Sequence, residues 1–376
     1  MAWAVSHNAE ADLAAVGACF GLEGTFRGAT PLGAGHIHRT YLARWEDGGR
    51  VQRYVHQRIN THVFPDPQRL MAGIVRVTSH LARQFAHLPE GERARRVLTF
   101  LPARDGGFAA LMPDGSWWRT AHFVEGARTE STVVNPAQAR EAARAFGDFV
   151  RRLADLPGPR LAETIPRFHD TPRYLAALQR AAAHDPCRRA AGIGDELAFA
   201  LAHAPLAGSL VDALAAGALP ERVVHNDTKI DNLLFAAEGD QALCVVDLDT
   251  VMPGSALFDF GDLVRSTVTG AAEDATDTGR VEARPEIFAA LVEGYLAGTA
   301  GCLVPAEVQG FVTAAQVITL ECGVRFLTDH LQGDVYFPAH RPGHNLERAR
   351  AQFTLLRSLE RQAGALEETV RRIAAG

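Results

Sequence analysis

VVHNDTKIDNLLF, residues 223–235, is followed closely by ALCVVDLD, residues 242–249. The apolar runs LLFA and ALCVV flank the polar tetrapeptide AEGD, a spacing that predicts a β-hairpin. A hairpin folds its ends together. Asp247, 20 residues after Asp227, is therefore returned beside the loop that carries Asp227 and Asn232. The same loop holds an oddity of composition. Of 38 basic residues, Lys229 is the one lysine and the rest are arginine.

Outward from the hairpin the chain changes character once. In the first third, TYLAR, VQRYVHQRI, VLTFL and WWRTAHFV read as strands. PDPQRLMAGIVRVTSHLARQFA places Leu70, Ile74, Val77, Leu81 and Phe85 on one helical face. From about residue 136, Asn135 caps a helix with Pro136 in its first turn, and most of the remaining chain is helical. The segment GAAEDATDTGRVEARPE reads as a polar surface loop.

At 376 residues the chain suits two domains or one two-lobed enzyme. A net charge of −6 gives no reason to expect nucleic acid or a polybasic membrane contact. The five cysteines form no CxxC pair, which argues against a zinc ribbon or a secreted disulfide framework and fits a reducing compartment. The start, MAWAVSHNAEADLAAVGACF, lacks a basic n-region and is interrupted by Glu10 and Asp12, so it reads as a helix and not a signal peptide. FAALVEGYLAGTAGCLV carries Glu293 and is too short to span a bilayer comfortably. These features predict a cytoplasmic protein, without a membrane partner, expected to be a monomer.

His225 to Asn232 fit H-x-D-x-K-x-x-N. Phosphoryl transfer of the protein-kinase type asks for these residue types. An aspartate, here Asp227, accepts or orients the proton of the attacking hydroxyl. The amide oxygen of Asn232 can reach a magnesium ion, and Asp247 adds the carboxylate that Mg²⁺ prefers. Lys229 can neutralise charge on the transferring group. Asp259-Phe260-Gly261 spells DFG, the magnesium tripeptide of protein kinases, but it opens what reads as a helix. We therefore assign the metal to Asp247 and read Asp259 as a structural acid. PLGAGHIH, residues 31–38, is the phosphate-loop candidate, with Gly33 and Gly35 letting backbone N–H groups approach phosphate oxygens. The strand that should supply a phosphate-binding cation offers Arg58, more simply read as facing solvent, and the helix after it has no acidic partner.

Beyond these motifs the chain resembles the N-acetylhexosamine 1-kinases, a bacterial branch of the aminoglycoside phosphotransferase and choline kinase superfamily. The resemblance runs nearly the whole length, through GHI, QRINTHVFPDPQRLM, FHDTP, HNDTKIDNLL, VVDLDTVMPGSALFDFGD, ECGVRFL, GDVYF and HNLERAR. It implies an α+β, bilobal protein-kinase-like fold. Residues 1–125 would form a small β-rich nucleotide-binding lobe, and residues 126–376 a larger, mainly helical catalytic and sugar-binding lobe. It also implies ATP- and Mg²⁺-dependent phosphorylation of the anomeric hydroxyl of N-acetylglucosamine or N-acetylgalactosamine. Asp227 would be the base, Asn232 and Asp247 the metal residues, and His36, Arg325 and Tyr336 the sugar contacts. His38 departs from the family's usual asparagine.

Two other readings compete. A cationic acceptor, such as an aminoglycoside or amino alcohol, wants a strongly acidic cleft, whereas ECGVRFL and RPGHNLERAR carry arginines. A nucleotide-binding pseudokinase would have little use for Asp227, Asn232 and Asp247 together. For Lys229 there are three roles: a solvated residue, a partner of Asp231 or another acid, or the cation on the transferring phosphoryl group.

Overall fold

The computed structural model describes residues 7–33 and 37–376. The chain divides into two compact units, Met1–Gly126 and Ala127–Gly376.

In the first unit, strands β1 (Thr25–Pro31), β2 (Arg39–Asp47), β3 (Arg50–Ile59), β4 (Ala110–Leu111) and β5 (Trp117–His122) form an antiparallel sheet of order β1-β2-β3-β5-β4. Helix α1 (His7–Cys19) contributes Leu13 and Val16 to a core with Phe20 and Trp118. Helix α2 (Pro67–Gln84) is capped by Asp66, whose carboxylate accepts the Arg69 N–H at 3.0 Å. It buries Leu70, Ile74, Val77 and Leu81 of the predicted stripe, with Met71 beside them, while Phe85, the fifth predicted position, is the helix's C-cap and only half-buried. A short helix, α3 (Glu90–Arg93), comes next in the chain.

One expected strand is absent. VLTFL makes a single isolated bridge, Phe100 to Ala121. The Leu101 N–H and the Thr99 carbonyl do pair with β5, at 2.9 Å each, but Pro102 has no N–H with which to continue the ladder. The rest of that edge is taken by β4.

The second unit is mainly helical around two small sheets. Strands β6 (Ala127–Thr129), β8 (Leu233–Ala236) and β9 (Ala242–Val245) form one, and β7 (Arg222–Val224) pairs with β10 (Met252–Gly254) in the other. The predicted hairpin is β8–β9, antiparallel, with Leu233 opposite Val245. The helices are α4 (Pro136–Leu153), α5 (Thr171–His184), α6 (Gly194–Ala202), α7 (Ala204–Ala207), α8 (Ser209–Ala215), α9 (Ala256–Thr267), α10 (Pro285–Thr299), α11 (Pro305–Gln309), α12 (Phe311–Gln332) and α13 (His344–Ala375). Helix α12 is long and apolar enough to cross a membrane, yet 72% of its apolar window is buried within the protein, as befits a core helix.

Each residue of the DFG triplet has a structural task on α9. Asp259 is fully buried in the first turn. Phe260 stacks on Phe311 with ring centroids 3.9 Å apart and meets Tyr295 edge-on at 5.3 Å. At Gly261 a Cβ would lie 2.5 Å from the Ala314 carbonyl oxygen, so only glycine lets α9 lie this close to α12. Gly261→Ala should lower the melting temperature by about 3–10 °C, the effect of about 1–3 kcal/mol of overpacking in a unit of this size. Gly364, exposed within α13 with nothing within 4 Å of a built Cβ, supplies the contrast. Gly364→Ala should stabilise by roughly 0.5–1 kcal/mol. Differential scanning calorimetry of the two variants checks both signs.

Candidate active site

Strand β7 delivers the loop His225–Asn232 directly onto the N-terminus of α9. There the Asp259 carboxylate accepts the backbone N–H of His225 at 2.9 Å and of Asn226 at 2.7 Å. The Thr228 hydroxyl donates to the Asp259 carbonyl at 2.5 Å. An acid is well placed in the first turn of a helix. Burial pushes the Asp259 carboxyl up to about 6, against the pull of the two N–H groups. Asn226 takes a left-handed conformation, φ 64°, and its side-chain amide donates to the Thr250 carbonyl at 2.9 Å. The carbonyl of Asn226 is held from the other side by the His169 ring at 3.0 Å. The residue before Asp227 is thus fixed at its N–H, carbonyl and side chain.

The hairpin then closes the site. The Val246 N–H donates to the Asn232 carbonyl at 2.9 Å, and the His225 ring donates through Nε2 to the Val246 carbonyl, also at 2.9 Å. His225 Nδ1 accepts the Asp227 N–H at 3.3 Å, which makes the ring the neutral tautomer protonated at Nε2. Asn232 Nδ2 donates to the Asp227 carbonyl at 2.8 Å and to its carboxylate at 2.7 Å. Lys229 Nζ lies 3.5 Å from the same carboxylate. Burial opposes charge on Asp227, but Lys229 and the Asn232 amide outweigh it and hold the carboxyl below its usual value. Asp227, Lys229, Asn232 and Asp247 therefore come together, as their spacing predicts.

Asp247, φ 57°, behaves differently. Burial, then the neighbouring Asp249 and Asp227, push its carboxyl up to about 7. Asp249 and Asp227 both act on Asp247 with Lys229 as the opposing charge, an excess of negative charge that a divalent cation would relieve. Asn232 fits the same reading. With Nδ2 committed to Asp227, the side-chain atom it has left is an amide oxygen, a hard donor of the kind Mg²⁺ takes. No group of three or more His, Cys, Asp or Glu among the described residues forms a ready-made metal cage. A cation here would draw its remaining ligands from phosphate and water.

Arg325 and Tyr336 also meet. The Arg325 guanidinium carbon lies 5.1 Å from the Phe168 ring centroid, 5.2 Å from Tyr174, 5.5 Å from Phe337 and 5.9 Å from Tyr336. These four rings form an aromatic box filled by the protein's own cation. Its nearest carboxylate oxygen among the described residues, on Glu321, is 4.0 Å away. The box wall is built by Asp329, whose carboxylate accepts the N–H groups of Val335, Tyr336 and Phe337, each at 2.9 Å. Tyr336 itself remains half exposed.

In the first unit, Gly33 follows β1 with φ 75°, a conformation that favours glycine. Gly35 and His36 lie outside the described residues. Arg58 is half-buried and its charge reaches Asp114, so it is not simply solvent-facing. His38 is nine-tenths buried, accepts the Asn60 N–H at 3.0 Å and stacks on Phe64 at 5.4 Å. Those contacts brace the turn before α2.

Sequence reasoning missed His169, Glu321, Asp329 and the box residues Phe168, Tyr174 and Phe337. The available signal was polar residues set in apolar helical sequence, Glu321 after VITL above all. An acid there must find a buried partner.

Several solved structures share the fold. An aminoglycoside phosphotransferase from Alicyclobacillus acidocaldarius superposes with a TM-score of 0.57 at 13% identity, over 91% of this chain and 92% of that one. A spectinomycin phosphotransferase in complex with ADP and spectinomycin gives 0.55 at 11%, over 97% and 98%. A choline/ethanolamine kinase family protein from Mesorhizobium loti gives 0.54 at 20%, over 97% and 98%. Such identities establish the kinase-like α+β fold and nothing finer. Residues 28–303, well over half of the chain, match the model of the phosphotransferase enzyme family. That span takes in the glycine turn, the His225–Asn232 loop and the Asp247 hairpin, and on it the chain belongs to the phosphotransferase enzyme family.

Proposed function

We propose that the protein is an N-acetylhexosamine 1-kinase, transferring the γ-phosphoryl group of ATP to the anomeric hydroxyl of N-acetylglucosamine or N-acetylgalactosamine. The sugar oxygen attacks the γ-phosphorus, the bond to the bridging oxygen breaks, and ADP leaves. Asp227, kept ionised by Lys229 and Asn232, accepts the hydrogen bond of the sugar hydroxyl and takes its proton. Asn232 and Asp247 would hold Mg²⁺, which when bound neutralises phosphate charge. Gly33 and Gly35 receive the phosphates. His36, Arg325 and Tyr336 contact the sugar.

The observation that supports a neutral acceptor is the arginine-filled aromatic box. An empty box of four rings is a receptor for a quaternary or primary ammonium. Filled by Arg325, it repels such a cation and offers a planar fork of N–H donors above apolar rings, which suits hydroxyl and carbonyl oxygens. The aminoglycoside and choline kinases of the same fold carry other acceptors in their names, and a panel separates the readings. With ATP and Mg²⁺ we expect phosphorylation of N-acetylglucosamine or N-acetylgalactosamine at the anomeric position, read by NMR, and little turnover of glucose, choline or kanamycin. Preferential turnover of choline or kanamycin would overturn the assignment.

Arg325→Ala should raise the KM for the sugar by about 10- to 100-fold, the scale of about 1.5–3 kcal/mol for a hydrogen bond to a charged group. The KM for ATP should be spared. Tyr336→Phe should act in the same direction but less. Equal effects on both substrates would point to general damage.

Asp227→Asn should cut kcat by about 10²–10⁴-fold, the usual contribution of a general base. ATP binding by calorimetry should barely change. Near-normal turnover would remove Asp227 from the role.

Lys229 sits against Asp227, not Asp231. Were pairing its whole task, arginine would serve as well. A compact ammonium with three rotatable donors can follow charge from base to phosphoryl group, where a planar fork needs more room. Lys229→Arg should therefore lose about tenfold or more in kcat, and Lys229→Met more, within the roughly 2–4 kcal/mol of one transition-state contact. Melting temperatures should stay close to wild type. Wild-type turnover in Lys229→Arg would show that charge alone suffices.

A further inference from the structure

We infer that His169 is a positioning residue for phosphoryl transfer, tying the carbonyl immediately before Asp227 to Glu321 on the helix that carries Arg325. His169 lies between α4 and α5, nine-tenths buried, between the rings of Phe168 and Phe258, each 4.8 Å away. Its Nε2 is 3.0 Å from the Asn226 carbonyl and its Nδ1 is 2.9 Å from Glu321 Oε1. The Thr171 hydroxyl donates to the other Glu321 oxygen at 2.7 Å. Both partners of the ring are acceptors, so both ring nitrogens donate. Burial opposes the resulting charge and Glu321 more than offsets it, which raises the His169 pKa.

The geometry of Asn226 gives this bond its consequence. Asp259 fixes its N–H and Thr250 its side chain, but the plane of the Asn226–Asp227 peptide is set by what holds its own two polar ends, the Asn226 carbonyl on His169 at 3.0 Å and the Asp227 N–H on His225 at the longer 3.3 Å. That plane aims the Asp227 side chain. At the other end, Arg325 is one helical turn from Glu321 and 4.0 Å from its carboxylate. A displacement of α12 by the acceptor would reach the base through one buried imidazole. Packing alone could keep a phenyl ring or a leucine at this position. It does not ask for a histidine with two acceptors.

The inference rests on Asp227 being the base, so Asp227→Asn is measured in parallel. In the full-length protein, with the best acceptor of the panel, His169→Leu should lower kcat about 10- to 100-fold, the scale of a misplacement near 1 Å. ATP affinity by calorimetry should be unchanged. His169→Gln keeps an N–H that can reach the Asn226 carbonyl and should recover most of the loss. Glu321→Gln can still donate to Nδ1 of a neutral His169 and accept from Thr171, but it weakens the anchor, so its kcat should fall by less than that of His169→Leu with ATP affinity unchanged. A folded His169→Leu with normal kcat would overturn the inference, as would equal losses of kcat and ATP affinity. Should His169→Leu fail to fold, a folded His169→Gln as inactive as Asp227→Asn overturns it instead. An active Asp227→Asn sinks the proposed function. An inactive Asp227→Asn beside a fully active His169→Leu sinks only the role of His169.

Discussion

A carboxylate buried without solvent must find donors, and Asp259 finds them in the backbone of another segment: the N–H groups of His225 and Asn226. This contact decides where the His225–Asn232 loop begins. It also explains why that segment, with a left-handed residue ahead of Asp227, is not free to relax. Once the loop is pinned to α9, the rest of the site is held by short-range consequences. His225 reaches Val246, Asn232 takes the Val246 N–H, and the hairpin can return Asp247 to only one place. Helix α9 is in turn fixed by its close approach to α12 at Gly261 and by Phe260 against Phe311. The chain of dependence runs from core packing to helix position, from helix to loop, and from loop to the acids.

Much of this was legible because the relevant signals are local. The hairpin is announced by two apolar runs around a polar tetrapeptide, and α2 and α4 by caps, prolines and stripes. The assignment of Asp259 to structure rather than metal rested on its place in a helical stretch, and its carboxylate is spent on two backbone N–H groups. VLTFL misled because strand propensity says nothing of how two segments divide one sheet edge, and Pro102 ends the pairing. The aromatic box and the His169–Glu321 pair were illegible for a different reason. Their members lie some 150 residues apart in the chain and meet only through the packing of α5 on α12. No period or spacing encodes such a meeting. Beyond the resemblance motifs FHDTP, ECGVRFL and GDVYF that contain several of them, the trace left in the sequence is the presence of polar residues where an apolar helix has no need of them.

Two cations now carry the division of labour that a nearly lysine-free sequence suggests. Arg325 is surrounded by four rings, with no carboxylate oxygen among the described residues closer than 4.0 Å, a setting in which a planar guanidinium can lie along ring faces and still present its N–H edge. Lys229 is in the opposite setting. It is partly open to solvent, 3.5 Å from one acid, with Asp231 and Asp247 adding to the field that keeps it charged. A guanidinium there would form a bidentate pair with Asp227 and occupy both carboxylate oxygens, one of which already receives the Asn232 amide. The hydroxyl of an acceptor would then compete for the single lone-pair site left on the proposed base. The ammonium makes a single longer contact and leaves that carboxylate available. Two unlike constraints therefore assign the two cations: aromatic walls for the arginine, and an acid that must stay open for the lysine.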